Sequence, residues 1–435
     1  MSNYIQNITD SMTNLISELS QNPSLFLKNP RTDFTRTRKI DFKTLIGITM
    51  NSGGGTMSKE LLDYFNFEVD APTVSAFTQQ RSKVLPEAFE YLFKTFTKEN
   101  LPISKDYDGY RIIACDGSNL SIATNPNDPE TAWKNNQYGN VINKFHLNAF
   151  YDLSNRIYTD VLIQTASEYN EARACVTMID KSILKNVILL ADRGYENYNI
   201  MAHAINKNWK FVIRIKDINS NGIASGLKLP KSDVFDTDIT LKFSRKNTKE
   251  TRNAGCRWMP ANQMFDYLPP KSDKIYELLF RIVRFSISED SYEVIVTNLD
   301  RFQFPAEKIK EIYHLRWGIE TSFRELKYAI GLTSFHARKP DYIKQEIYAR
   351  LLLYNYCELI TTHVIQQMEK KEKTKQVNFT VAIYICREYL RQKRNLSPPD
   401  VIKLIEKHIL PVRPGRKDPR KVKAQASVSF LYRVA

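Results

Sequence analysis

Val187-Ile-Leu-Leu-Ala-Asp-Arg-Gly194 is an apolar run that stops at an acid and a turn residue. A short aliphatic run bounded in this way reads as a strand buried on both faces, the kind found in the parallel sheets of α/β proteins. Ile112-Ile-Ala-Cys-Asp-Gly-Ser118 repeats the pattern upstream. Each strand is expected to end at its aspartate, Asp116 or Asp192, and to turn there. The carboxyl ends of strands in an open α/β sheet border the crevice that takes ligands, so the two acids together are candidates for a shared metal. The alternative for either one alone is a cap on the segment that follows.

Outward from these strands, Phe145 to Tyr151 and Ile157 to Gln164 read as a hairpin around Asp152-Leu-Ser-Asn-Arg156. Lys210 to Ile215 reads as a further strand, with Ala166 to Leu184 and Tyr198 to Lys207 as helices. The result over residues 101–215 is a mixed α/β core with an antiparallel hairpin beside parallel strands. Residues 1–100 read as helical, and 216–300 as a β-rich insertion with Ser-, Asn- and Pro-rich connections. Residues 301–395 read as the second part of the core, with a long helix from Pro305 to Gly331 and another from Tyr342 to about Met368. A basic tail occupies 396–435, where Pro411 to Ala435 carries seven basic residues against one acid, a pattern suited to lying on nucleic acid.

Charge limits the partners. The 435 residues include 63 Lys+Arg and 48 Asp+Glu, a net charge of +15, which favours a polyanion. Six basic residues between Lys28 and Lys43 form either a solvated surface or a phosphate contact. At 42% hydrophobic and 26% charged the composition is that of a globular protein, which excludes disordered and fibrous classes. No apolar stretch reaches the ~18 to 20 residues of a membrane helix. Met1 to Leu15 lacks the basic and apolar regions of a secretory signal, so a cytoplasmic protein without membrane contact is expected. The five cysteines and six histidines are dispersed without metal-ligand spacing, so any metal is expected to take oxygen ligands, which points to magnesium or manganese.

A third carboxylate, Glu320, lies in the expected 305–331 helix. At ~100° per residue Tyr313, Arg316, Glu320 and Lys327 share one stripe beside an apolar face of Leu315, Ile319, Phe323, Leu326 and Ile330. A carboxylate there can hold a metal while the phenol, guanidinium and ammonium grip phosphate oxygens. The plainer alternative is a solvated Glu320–Arg324 pair. Phosphodiester chemistry with two divalent ions roughly 3.5 to 4 Å apart requires several carboxylates on rigid elements. Clustered without metal, they would raise one another's pKa.

The spacing Tyr313-x2-Arg316-x3-Glu320-x6-Lys327 resembles the Y-R-E-K signature of the insertion-sequence-four family of bacterial transposases. Asp116 in Cys-Asp-Gly-Ser and Asp192 in Ala-Asp-Arg-Gly-Tyr look like the first two acids of that family's D-D-E triad, and the resemblance covers roughly residues 75–435. It implies an α/β, RNase H-like mixed sheet flanked by helices, interrupted by the β-rich insertion, with an N-terminal all-helical DNA-binding domain. The activity implied is that of a DNA transposase: cut-and-paste transposition by metal-dependent hydrolysis and transesterification through hairpin ends. Asp116, Asp192 and Glu320 would bind two Mg2+ or Mn2+ ions, while Tyr313, Arg316 and Lys327 would hold phosphate near the flipped base and the hairpin. Arg193 would contact phosphate or pair with a nearby acid. Trp258, the only tryptophan of 216–300, would stack on the flipped base or pack in a core. The implied partners are double-stranded DNA, as terminal inverted repeats and target, and a second copy in the DNA complex, in the bacterial cytoplasm at the nucleoid.

Three other readings share part of this evidence. An RNase H-like nuclease or resolvase without strand transfer has the same carboxylates. A non-catalytic DNA-binding relative would be expected to have lost a triad or signature residue, and both sets are intact. A glycoside hydrolase explains a carboxylate pair but not the positive charge or the basic stripe.

Overall fold

The computed structural model describes residues 3–102, 107–134, 141–289, 291–368, 375–391 and 397–411, so most of the expected basic tail lies outside the described residues. Five helices come first: α1 (Asn3–Gln21), α2 (Phe42–Asn51), α3 (Met57–Tyr64), α4 (Val74–Arg81) and α5 (Glu87–Glu99). In α1, Ile5, Ile8, Met12, Leu15, Ile16 and Leu19 recur at helical spacing and are all buried. Asp41, Thr56 and Thr73 cap the next three helices through their side-chain oxygens.

The core follows as β1 (Arg111–Ile122), β2 (Ala132–Trp133), β3 (Ile142–Asp152), β4 (Ile157–Thr165), α6 (Glu171–Lys181), β5 (Val187–Ala191), α7 (Tyr198–Asn206) and β6 (Lys210–Ile215). Next come β7 (Phe235–Ser244), α8 (Lys249–Asn253), β8 (Cys256–Trp258), β9 (Ile275–Ser288) and β10 (Ser291–Thr297). All ten strands form one sheet in the order β2-β3-β1-β5-β6-β10-β9-β7-β8, with β4 also paired to β3. β1, β5 and β6 are mutually parallel, and β3 and β4 form the antiparallel hairpin at one side. At the hairpin turn Arg156 takes φ 57°, and Asp152 Oδ1 accepts from the amides of Ser154 and Asn155. The strands of 216–300 lengthen this same sheet, because β10 pairs antiparallel with β6.

The chain ends in α9 (Ala306–Leu315), α10 (Trp317–Arg324), a π-helical turn over Glu325–Ala329, α11 (Pro340–Met368), α12 (Phe379–Arg391) and α13 (Val401–Lys407), with a separate ribbon of β11 (Lys375–Val377) and β12 (Ile409–Pro411). The long helix expected from Pro305 to Gly331 is therefore broken. At Arg316 the backbone tightens, with Arg316 N to Tyr313 O and Ile319 N to Arg316 O both 3.1 Å. It then widens, with Ile330 N to Glu325 O at 3.1 Å. A three-residue turn followed by a five-residue one does not accumulate 100° per residue, so the expected single stripe does not hold as a straight line.

Helices cover both faces of the sheet. Ile113, Cys115, Leu189 and Ala191 pack toward α6 and α7. On the opposite face Ile112, Ile188 and Leu190 pack against Ile309, Ile312 and Tyr313 of α9, and Ala114 shares a core with α10, α11 and the N-terminal helices. That shared core means the block 1–100 has no separate interior. Buried polar contacts fasten it: Thr9 Oγ1 to the Tyr356 hydroxyl at 2.8 Å, and Asn355 Nδ2 to Thr97 Oγ1 at 2.8 Å.

Candidate active site

Register and alternation bring two acids together. β1 pairs in parallel with β5 so that Cys115 stands beside Ala191, which leaves Asp116 and Asp192 as the next residue on each of two adjacent chains. Side chains alternate along a strand, so Asp116 follows Ile112 and Ala114, and Asp192 follows Ile188 and Leu190, onto the face covered by α9 and α10. β1 does not stop at Asp116, as the Gly117-Ser118 pair implied: it continues to Ile122 because β3 pairs with it as far as Asn143. The strand end that matters is that of β5. Asp192 leaves it extended and accepts from Gly194 N at 2.7 Å, opening the three-residue turn that exposes Arg193.

Glu320 enters from α10, a helix anchored by Ile319 and Phe323 in the core and by Ser322 Oγ, 2.8 Å from the Tyr158 hydroxyl. Its Oε1 accepts from Arg316 Nη2 at 3.0 Å, in place of the surface Glu320–Arg324 pair that a solvated face would give. Arg316 is buried and lies against the Tyr313 ring, 5.7 Å from its centroid. The Tyr313 hydroxyl and Arg316 Nε are both buried without an aligned hydrogen-bond partner among the described residues. Burial pushes the Tyr313 phenol up, so it remains a donor. Lys327, on the π turn, donates to Asn119 O at 3.0 Å, which brings it to β1 three residues beyond Asp116.

Proximity couples the charges of these groups. Burial, aided by repulsion from Asp192 and Glu320 and opposed by the Gly117 amide and Arg316, pushes the Asp116 carboxyl up to about 7. The sign follows directly. With the folded value above the ordinary 3.8, Asp116 adds stability below about pH 4 and loses it as pH rises through 7. Asp116→Asn is thus expected to stabilise the metal-free protein by about 2 to 4 kcal/mol at pH 8 and to do nothing at pH 4. Urea unfolding in chelator at the two pH values checks this, and equal effects at both would remove the electrostatic explanation.

Among the described residues no three His, Cys, Asp or Glu side chains lie close enough to hold an ion as they stand. The donor chemistry nevertheless suits a hard divalent cation: carboxylates only, mutually repelling, at a strand edge. Trp258 is half exposed at the end of β8, and its neighbour Arg257 donates to the Tyr198 hydroxyl at 2.9 Å, six residues after Asp192. Trp317, next to Arg316 and 46% exposed, is the tryptophan beside the signature helix, with its ring 5.1 Å from the guanidinium carbon. Sequence reading also passed over Glu171 and His146, which meet beside Gly117 with Nε2 to Oε1 at 3.0 Å. An acid at the first position of a helix is too common to signal anything by itself.

Residues 107–356 match the family described as "Transposase DDE domain". The chain is 36% identical to the transposase for insertion sequence element IS421 of Escherichia coli over 59 residues, 14% of this chain and 16% of that one. It is 26% identical to the transposase InsG for insertion sequence element IS4 of Escherichia coli strain K12 over 141 residues, 30% of this chain and 31% of that one. The chain thus spans about a sixth to a third of the length of these curated relatives. Among solved structures, a cryo-EM piggyBac transposase synaptic complex with hairpin DNA superposes with a TM-score of 0.48 and 9% identity, over 95% of this chain and 87% of that one.

Proposed function

The chain belongs to the transposase DDE domain family, and from that premise we propose that it moves an insertion sequence by metal-dependent cleavage and strand transfer of DNA. The observation that carries this reading is the Cys115–Ala191 register, which sets Asp116 and Asp192 side by side on the face where α10 carries Glu320. Magnesium or manganese held there, as two ions, would activate the attacking oxygen and stabilise the leaving one. The strand order β4-β3-β1-β5-β6, an antiparallel hairpin followed by three parallel strands, supports an RNase H-like core.

The protein's own donors complete the site. The Tyr313 hydroxyl and Arg316 Nε have no aligned hydrogen-bond partner among the described residues, and a phosphate oxygen would satisfy both. Lys327 projects from the π turn to β1 and would grip the next phosphate. Arg193, exposed after Asp192, stands where the backbone would leave the site. A ring to stack on a flipped base would come from Trp258 or from Trp317, whose ring lies 5.1 Å from the Arg316 guanidinium carbon.

DNA binding draws on the net charge and on the exposed Arg31, Arg36 and Arg38, which with half-buried Lys83 line a concavity of about 330 Å3 in the N-terminal block. Strand transfer at two ends requires two sites, so a homodimer on terminal inverted repeats is the expected working assembly, in the bacterial cytoplasm at the nucleoid. No helix among the described residues is long and apolar enough to cross a membrane.

A cleavage assay on DNA carrying the ends of the element tests the proposal. Nicks and hairpins on denaturing gels are expected with Mg2+ and not with chelator. Arg316→Ala and Lys327→Ala are expected to nick but to form and resolve hairpins at least tenfold more slowly. Binding without cleavage in either Mg2+ or Mn2+ would leave a DNA-binding protein only.

A further inference from the structure

On the α6 side of the sheet, behind Asp116, two side chains close over a gap left by glycines. A β-carbon on Gly117 would collide with His146 Nε2 and fall 2.6 Å from Glu171 Oε1, and one on Gly194 would lie 3.8 Å from Glu171 Oε2. The same position on Gly194 is 3.0 Å from Asp192 Oδ1. The carboxylate of Glu171 therefore spans the gap between the residue after Asp116 and the turn that follows Asp192.

Its support is rigid. Asn170 Oδ1 caps α6 by accepting from Arg173 N at 2.9 Å, which fixes Glu171 at the first position of the helix. His146 is 3% exposed, its Nδ1 lies 3.0 Å from Asn119 Oδ1, and its ring meets Tyr169 edge-on with centroids 4.6 Å apart. Nε2 faces the gap 3.0 Å from Glu171 Oε1, an ion-pair contact that holds this oxygen and leaves Oε2 on the Gly194 side. Asn119 in turn accepts from Lys327 through its backbone oxygen. One chain of contacts thus runs from the signature lysine to the back of the acidic edge.

Divalent ions of this kind keep several waters, so a site needs groups that hold the hydration shell as well as groups that touch the ion. We propose that Glu171, held by His146, is a fourth carboxylate of the catalytic centre, a positioning residue that orders the water around a divalent ion bound at Asp116 and Asp192. His146 holds Oε1, and Oε2, on the Gly194 side beside Asp192 Oδ1, is the acceptor that orders that water. This inference rests on the metal-binding reading of the same edge.

The test is Mn2+ binding to the full chain without DNA, by calorimetry and by loss of the free-ion paramagnetic signal, for wild type, Glu171→Gln, His146→Gln and Asp192→Ala. Glu171→Gln is expected to weaken Mn2+ binding about tenfold or more, the size of effect that second-layer ligand partners have, with an unchanged thermal midpoint. His146→Gln, which frees Glu171 without removing it, is expected to lose less. Unchanged Mn2+ affinity in Glu171→Gln while Asp192→Ala loses binding would overturn this inference alone. If Asp192→Ala also bound Mn2+ normally, or wild type bound none, the metal reading would fall with it. A lowered midpoint with normal Mn2+ affinity would assign Glu171 a structural role and overturn the proposal.

Discussion

Glu320→Gln is expected to reduce strand cleavage by at least ~10^3-fold while leaving binding to element ends within about twofold. The substitution preserves size, and the amide oxygen can still accept from Arg316 Nη2, now 3.0 Å from Oε1, so α10 keeps its position. Only a negative charge is removed. A carboxylate that holds a catalytic ion is worth several kcal/mol of transition-state stabilisation, and each ~1.4 kcal/mol is tenfold in rate. On the proposed reading end binding rests on basic side chains elsewhere on the chain, so it should not notice the change. Single-turnover cleavage beside a gel-shift titration measures both quantities. Cleavage within tenfold of wild type would exclude Glu320 from the metal site, and a parallel loss of binding would make it a structural residue.

Arg81→Met is expected to cost about 3 to 5 kcal/mol of stability, the usual result of stripping a buried charge of its partner. Arg81, on α4, is 3% exposed and reaches α11 through three contacts: Nε to Gln345 Oε1 at 2.8 Å, Nη1 to Glu346 Oε1 at 2.9 Å, and Nη2 to the Tyr342 carbonyl. Glu346 is 2% exposed and is held well below the usual carboxylate range by Arg81, His336 and Arg350, against the opposing effect of burial. Arg350 and the His336 amide would remain to it, so the protein should fold, but less stably. Urea unfolding of Arg81→Met and of Arg81→Met with Glu346→Gln checks the mechanism, since neutralising the stranded acid should recover part of the loss. A single-variant loss below ~1 kcal/mol would mean that the charge is compensated elsewhere.

Both predictions depend on contacts between segments far apart in the chain, and these were unequally legible beforehand. Asp116 and Asp192 could be picked out because each follows an aliphatic run, and burial on both faces writes such a run directly into the residues. Glu320 was legible from its spacing to Tyr313, Arg316 and Lys327. The geometry of that helix was not, because the change from a three-residue to a five-residue turn leaves no mark in apolar periodicity. Trp258 was less legible: a lone aromatic has no periodicity to locate it, and only strand pairing puts it on β8 beside β7.

By itself the amino-acid sequence determined the local features: which stretches are strands and helices, which acids terminate buried runs, and the positive charge that calls for a polyanion. These are set by neighbours a few residues away, through alternation and helical spacing. Tertiary structure alone decided that β1 continues past Asp116, that the strands of 216–300 extend the main sheet, that the first hundred residues share their core with α11, and that Glu171 and His146 stand behind the acids. Each of these depends on hydrogen-bond register or packing between distant segments. A register shift of one residue would turn every side chain of a strand to the other face without altering the strand's own pattern.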